Sequence, residues 1–186
     1  MDIIVGVSGA SGVVMAQYLL RALRAARVCT HLVMTEAATD TWRLETERPL
    51  SELTDMADFV YGGDDLAARI SSGSFVTVGM IVMPCSMKTL AGVVSGYTDN
   101  LLLRAADVCL KEGRRLVLCP REMPLGRVHL RNLLAASELG CAIVPPMLTF
   151  YNMPQTIEDE INHVVGKVLL RFGLKSPDFV AWNGEE

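Results

Sequence analysis

Two short runs of small and hydroxyl residues each follow a stretch of apolar residues. Ser8-Gly9-Ala10-Ser11-Gly12 comes after residues 3–7, and Pro84-Cys85-Ser86-Met87-Lys88-Thr89 comes after residues 80–83. Such apolar stretches are typical of buried strands, and the runs after them are typical of helix N-termini. Backbone N–H groups at a helix N-terminus are unpaired and carry partial positive charge, so they bind anions. The pair of runs predicts a phosphorylated ligand at the carboxyl edge of a sheet.

Each run also has a simpler interpretation. Gly9-Ala10-Ser11-Gly12 lacks the GxGxxG spacing of dinucleotide-binding loops, and Thr35 stands where an acidic residue would end the second strand. A mononucleotide phosphate or a small anion therefore fits better than NAD, while a tight strand–helix turn explains the glycines equally well. In the second run, Ser86 can act as an ordinary N-cap, with Lys88 solvated.

Charged residues form two further candidate sites. Arg104, Asp107 and Lys111 are spaced i, i+3 and i+7, so one helix face carries all three. The residues alone favour helical ion pairs here, with a second anion site as the alternative. Arg121 and Glu122 follow a predicted strand, where they can form a surface ion pair or bind phosphate and move a proton.

Composition limits the classes of protein to be considered. The 186 residues predict one domain, 1–186, and the net charge of −4 argues against nucleic acid as the main partner. No apolar stretch approaches the ~20 residues of a membrane span. Five cysteines without CxxC spacing indicate a reduced, cytoplasmic protein. The three histidines, His31, His129 and His163, share no metal-ligand spacing with cysteines or carboxylates, so no metal site is predicted.

Predicted strands and helices alternate along the chain. Strands are expected at residues 3–7, 31–34, 59–61, 79–83, 115–119 and 141–144, and helices at 13–26, 100–112, 128–139 and from Thr156, whose capping partner is Asp159, to Gly173. Residues 36–79 carry the weakest pattern. The alternation predicts an α/β fold: a doubly wound, mostly parallel Rossmann-like sheet with helices on both faces. Such a sheet binds ligands at its carboxyl edge, where the candidate polar residues fall.

From residue 3 to residue 182 the chain resembles the flavin prenyltransferases of the UbiX and Pad type, formerly described as aromatic-acid decarboxylases. Eight groups of residues carry the resemblance: Ser8-Gly9-Ala10-Ser11-Gly12, Leu44-Glu45-Thr46, Ser71-Ser72-Gly73-Ser74, Pro84-Cys85-Ser86-Met87-Lys88-Thr89, Arg104-Ala105-Ala106-Asp107-Val108, Leu110-Lys111-Glu112, Pro120-Arg121-Glu122-Met123-Pro124-Leu125, and Pro145-Pro146 with Phe150-Tyr151.

This resemblance implies a flavoprotein fold and a defined reaction. Members of the family transfer a dimethylallyl group from dimethylallyl monophosphate to N5 and C6 of reduced FMN, without a metal. The product, prenylated FMN, serves a UbiD-type decarboxylase. The family assembles as trimers packed into a homo-oligomeric dodecamer.

The resemblance also implies roles for individual residues. FMN would be held by Gly9, Ala10, Ser11, Thr35, Ser86, Met87, Lys88, Thr89 and Arg121. The dimethylallyl phosphate would be held by Ser72, Gly73, Ser74, Arg104, Lys111, Glu122, Tyr151, Lys167 and Trp182. Ser11, Glu45 and Glu122 would move protons. For Arg104 and Lys111 the resemblance thus favours the anion site over simple ion pairs.

Two residues depart from the family pattern, and two other functions stay open. Lys167 stands where the family usually has arginine, and Ala181 precedes Trp182 where arginine is common. A flavin-dependent cysteine decarboxylase is the first alternative, although residues 36–79 lack the histidine of that group. The second is a non-catalytic, flavin-binding accessory subunit of a phenolic-acid decarboxylase.

Overall fold

The computed structural model describes residues 1–182 and Gly184; positions 183, 185 and 186, the end of the predicted domain 1–186, lie outside the described residues. Six strands form one parallel sheet in the order β3-β2-β1-β4-β5-β6. They are Asp2–Val7 (β1), Cys29–Met34 (β2), Phe59–Tyr61 (β3), Gly79–Cys85 (β4), Arg115–Pro120 (β5) and Ala142–Ile143 (β6). The predicted doubly wound, Rossmann-like sheet is confirmed.

Helices connect the strands. They are Val14–Ala25 (α1), Glu36–Thr46 (α2), Ser51–Thr54 (α3), Met87–Ser95 (α4), Leu101–Lys111 (α5), Arg127–Glu138 (α6) and Ile157–Leu170 (α7). The predicted capping box of α7 is confirmed: Thr156 Oγ1 accepts from Asp159 N at 3.1 Å, and the Asp159 carboxylate accepts from Thr156 N at 2.9 Å. Within the described part of the chain, no helix has the length and apolarity needed to cross a membrane.

The helices divide between the two faces of the sheet. Buried side chains of α1, α2, α3 and α7 pack on one face, around Val5, Leu32 and Ile81. Those of α4, α5 and α6 pack on the other, around Ile4 and Val82. Since successive strand residues point to opposite faces, strands buried on both sides are apolar almost throughout, which explains their near-continuous hydrophobic runs. Helices α5 and α7 therefore lie on opposite sides of the sheet.

The strand order reverses between β1 and β4, and one buried serine joins the loops that follow these two strands. Ser8 Oγ donates to the Pro84 carbonyl at 3.0 Å and accepts from Ser86 N at 2.7 Å. In doubly wound folds ligands bind at this reversal, outside the carboxyl ends of the strands. The Ser8 side chain thus fixes the two predicted anion-binding runs against each other.

Candidate functional site

A cleft of about 880 Å³ opens at the carboxyl edge of the sheet. Three helices begin on its wall, and the side chain of each N-cap residue accepts a hydrogen bond from its own first turn. Thr35 accepts from Ala38 N at 3.2 Å, Ser86 from Thr89 N at 3.2 Å, and Asn100 from Leu103 N at 3.0 Å. The N-terminal ends of α2, α4 and α5 all face this space, and such helix ends favour an anion. Lys88 adds a positive charge to the wall, which also carries the carboxylates of Glu36, Asp64 and Asp99.

Packing within the chain requires glycine at position 9. A Cβ added to Gly9 would lie 2.5 Å from the Ala37 Cβ, so the loop after β1 approaches α2 too closely for a larger residue. The close packing of a tight strand–helix turn therefore explains Gly9 without a ligand. The same close approach forms one wall of the cleft, which Gly9 and Ala37 both line.

Glu45 reaches the loop after β1 from the end of α2. Its Oε2 accepts from Gly12 N at 2.8 Å and from Val13 N at 3.3 Å. The carboxylate therefore caps the N-terminal end of α1, where negative charge is stabilised. Ser11, exposed in the same loop, is the neighbouring hydroxyl. Of the three residues predicted to move protons, Ser11 lies on the loop after β1, and Glu45 contacts that loop from α2.

A second, more open cleft of about 460 Å³ lies between α5 and the turn 71–74. Its lining is Ser71, Ser72, Gly73, Ser74, Arg104, Lys111 and Glu112. Arg104 Nε donates to the Ser71 carbonyl at 3.1 Å, which ties the turn to the helix. Five of the residues predicted to hold dimethylallyl phosphate therefore share one cleft, which we call the α5 pocket.

The positive charges of the α5 pocket are paired with carboxylates. Arg104 Nη1 donates to Asp107 at 2.8 Å, so the ion pair expected from spacing is present. Lys111 does not share Asp107. Its Nζ lies 2.9 Å from Oε1 of Glu112, an ion pair that the sequence analysis did not predict. The hydrogen bond and positive charge of Lys111 lower the pKa of Glu112 below its usual value. The pocket thus contains both ion pairs and the donors of an anion site.

Tyr151, Lys167 and Trp182 form a separate cluster around α7. The Tyr151 hydroxyl lies 3.0 Å from His163 Nε2, and the Tyr151 and Trp182 ring centres are 5.6 Å apart at 79°. Lys167 Nζ lies 5.5 Å from the centre of the Phe179 ring. Burial, together with the charge of Lys167, lowers the pKa of His163. We call this group the α7 cluster; since α7 packs on the other face of the sheet, it does not join the α5 pocket within one chain.

The remaining predicted residues lie around these sites. Of the residues predicted to hold FMN, five line the large cleft: Gly9, Thr35, Ser86, Lys88 and Thr89. Four do not line it: Ala10 is buried, Ser11 and Arg121 are exposed, and Met87 packs against the core beneath α4. Glu122 is exposed and accepts a hydrogen bond from the backbone N of Met123 at 3.0 Å.

Sequence reasoning missed part of the cleft lining. Gly62, Gly63 and Asp64 follow β3 and Asn100 caps α5, and all four line the cleft. Asn100 was detectable, because asparagine directly before an apolar helical pattern is a typical N-cap. The rule that ligands bind beyond strand ends also applies to the short strand β3, whose sequence pattern is weak.

The chain is similar to known proteins over almost its whole length. The Flavoprotein family matches residues 1–172. The "Probable UbiX-like flavin prenyltransferase" of Sedimentibacter hydroxybenzoicus is 58% identical over 185 residues, covering 99% of this chain and 98% of that protein. The crystal structure of a dodecameric FMN-dependent UbiX-like decarboxylase from Escherichia coli O157:H7 is 55% identical with a TM-score of 0.96, covering 99% of this chain and all of that one.

A third similar structure contains ligands. AnUbiX (PadA1), solved in complex with FMN and dimethylallyl pyrophosphate, is 48% identical with a TM-score of 0.97 and covers the whole of this chain and 98% of its own. The chain therefore belongs to the Flavoprotein family and, within it, to the UbiX-like flavin prenyltransferases, which are transferases. The expected family is confirmed.

Proposed function

We propose that this protein transfers the dimethylallyl group of dimethylallyl monophosphate to N5 and C6 of reduced FMN, making prenylated FMN for a UbiD-type decarboxylase. The observation that carries the proposal is the large cleft at the strand-order reversal, onto which three helix N-termini and Lys88 converge. We further propose that residues 1–186 act as a single cytoplasmic domain.

The residues of the cleft fit FMN. Its volume of about 880 Å³ is of the size that small-molecule sites usually have, ~300–1,000 Å³. Apolar side chains, including Met34, Val60 and Leu103, offer surface to a flavin ring. The hydroxyl groups of Thr35 and Ser86, and the backbone N–H groups beyond them, suit a phosphate. Bound reduced FMN would supply the nucleophilic atoms of the reaction.

The chain's own residues would handle the leaving group and the protons. When the allylic C–O bond breaks, negative charge develops on the phosphate, and fixed cations such as Arg104 and Lys111 stabilise it. The electron-poor allyl group is favoured by aromatic faces, a role for Trp182. Glu45 and Ser11 would move protons on the flavin side, and Glu122 on the phosphate side. Lys167 would contribute charge without the two-pronged geometry of arginine.

An assembly of several copies would complete the phosphate site. Arg104 and Lys111 belong to the α5 pocket, whereas Tyr151 and Lys167 lie on the opposite face of the sheet. Next to the α7 cluster, a strip of large apolar side chains is 66–77% exposed: Met147, Leu148, Phe150, Met153 and Ile157. Large exposed apolar side chains grouped in one segment are typical of an interface. We propose a homo-oligomer, a dodecamer built from trimers, in which the α7 cluster of one copy meets the α5 pocket of another.

The direct test is anaerobic incubation of the purified protein with reduced FMN and dimethylallyl monophosphate, followed by mass spectrometry of the released flavin. A gain of one C5H8 unit is expected. A parallel reaction with the pyrophosphate donor shows which phosphate ester is used. Bound but unmodified FMN with both donors, beside an active UbiX control, would contradict the proposal and favour a cysteine decarboxylase or an accessory subunit.

A further inference from the structure

Three side chains that commonly bind metals meet at the amino edge of the sheet, at the opposite end of β1 and β2 from the flavin cleft. Asp2 on β1 and Cys29 on β2 are partners in the parallel register, and His31 lies two residues along β2. Side chains of registered partners, and of residues two apart on a strand, project from the same face. Because Asp2 is distant in sequence, linear spacing did not reveal this group, and the expectation of no metal site rested on that spacing.

The distances suit a single metal ion. Asp2 Oδ1 lies 3.2 Å and Cys29 Sγ 3.9 Å from His31 Nε2, and the three donor atoms all lie within 4.8 Å of one another. Around a tetrahedral zinc ion, bonds of ~2.0–2.3 Å place neighbouring donor atoms ~3.3–3.6 Å apart. Small side-chain movements at Asp2 and Cys29 would therefore bring all three atoms into one coordination sphere.

The histidine is held in place for this role. Its Nδ1 lies 2.9 Å from the Tyr61 hydroxyl, and its ring stacks on Phe59 with centres 4.9 Å apart at 6°. His31 is fully buried. Because Nδ1 faces Tyr61, Nε2 is the nitrogen that faces Asp2 and Cys29. Metal-binding histidines generally have their second ring nitrogen hydrogen-bonded, because this fixes the tautomer and the ring orientation.

Solvent can reach the cluster from one side. The Asp2 side chain is 38% exposed and Cys29 is partly exposed, whereas His31 forms the buried floor. An ion can therefore enter from solvent and keep a water molecule as its fourth ligand. A thiolate, an imidazole and a carboxylate together favour zinc or another late divalent transition metal over magnesium or calcium.

We propose that Asp2, Cys29 and His31 form a binding site for a divalent transition metal of the zinc type. The bound metal would join the first residues of β1 and β2. Its role is structural, since the cluster lies at the other edge of the sheet from the cleft. Binding requires the deprotonated thiolate of Cys29, so a proton is released when the metal binds. Metal affinity should therefore increase with pH.

The test uses cobalt as a spectroscopic probe of the whole, metal-free protein. Titration with Co²⁺ should produce a thiolate-to-cobalt absorption band in the near ultraviolet. The band should saturate at one Co²⁺ per chain and disappear when Zn²⁺ is added. We expect Cys29→Ser to abolish the band and Asp2→Asn to weaken binding about tenfold or more. Cys141→Ser, which changes a cysteine outside the cluster, is the matched control and should keep the band.

In the titration, two results would overturn the proposal: no thiolate band in the wild-type protein, or a band that survives Cys29→Ser. Thermal melting with and without Zn²⁺ provides an independent check. Zn²⁺ should raise the Tm of the wild type and of Cys141→Ser but not of Cys29→Ser. An unchanged wild-type Tm at saturating Zn²⁺ would also count against the site. None of these measurements depends on prenyl transfer.

Discussion

The large cleft and the α5 pocket offer an anion different kinds of donors. In the cleft, donors are backbone N–H groups at three capped helix ends, fixed by the fold of one chain. In the α5 pocket, the cations are long side chains, and each is already paired with a neighbouring carboxylate. The donors of the cleft are therefore fixed by the backbone, whereas the cations of the α5 pocket are already neutralised by their partners. This difference supports the proposal that one chain completes the flavin site and that two copies complete the site for the prenyl phosphate.

The largest effect is expected from Glu45→Gln, whose carboxylate contacts the loop after β1. The amide can still accept from Gly12 N, so the cap on α1 and FMN binding should persist, but it cannot take up a proton. Prenyl transfer should fall about 100-fold or more, as for loss of a general base. The measurement is the rate of prenylated FMN formation beside the Kd for FMN. Glu47→Gln, an exposed neighbour, is the control, and full activity of Glu45→Gln would refute the role.

Lys111→Ala separates the two sites from each other. Removing the ammonium should lower kcat/KM for dimethylallyl monophosphate about 10- to 100-fold, the value of one hydrogen bond to a charged group. The Kd for FMN should stay unchanged, because Lys111 lies in the α5 pocket and does not line the cleft. Steady-state kinetics and flavin titration measure the two quantities. Lys175→Ala, on the exposed C-terminal segment, is the control; weakened FMN binding in Lys111→Ala would contradict the separation.

Ser8→Ala tests the preorganisation of the cleft. The substitution leaves the backbone N of Ser86 without its 2.7 Å partner and removes the bond to the Pro84 carbonyl. We expect the free energy of unfolding to fall by about 1–3 kcal/mol, as when a buried donor loses its acceptor, and FMN to bind more weakly. Denaturant unfolding and flavin titration check this. Ser95→Ala, which bonds only within its own helix, should leave FMN affinity unchanged.

The smallest effect concerns the α7 cluster and its pH dependence. Burial lowers the pKa of His163, so the folded state binds a proton less readily than the unfolded state does. The unfolded state therefore gains protons first as the pH falls through ~6.5, and stability should decrease below that pH. Melting curves between pH 8 and pH 5.5 measure the trend. In His163→Gln, stability should fall less steeply as the pH decreases. An equal pH dependence in both proteins would show that other groups cause the trend.

The sequence predicts most of the sheet because apolar runs and helix caps are local signals. Thr156 with Asp159, and Ser86 at the start of α4, are examples that the structure contains. Other features depend on contacts between distant residues. The Gly63 carbonyl accepts from Leu101 N at 2.7 Å, which brings the segment after β3 into the cleft wall. No local pattern in residues 36–79 indicates this contact.

The same limit applies to the candidate sites. The spacing of Arg104 and Lys111 places both on one helix face, yet it does not show that Lys111 pairs with Glu112. The resemblance to known prenyltransferases groups Tyr151 and Lys167 with them, although these residues lie on the opposite face of the sheet. Which residues share a pocket in an assembly depends on the packing of copies, and a single sequence does not encode that as a pattern.

The proposal that two copies share the prenyl phosphate site is tested most directly by mixing two impaired variants. Lys111→Ala removes a cation from the α5 pocket, and Lys167→Ala removes one from the exposed side of α7. With random mixing in a cyclic assembly, about a quarter of the shared sites contain both lysines. We expect purified mixed oligomers to recover about that fraction of wild-type prenyl transfer. Activity no higher than the mean of the two parent variants would contradict a shared site.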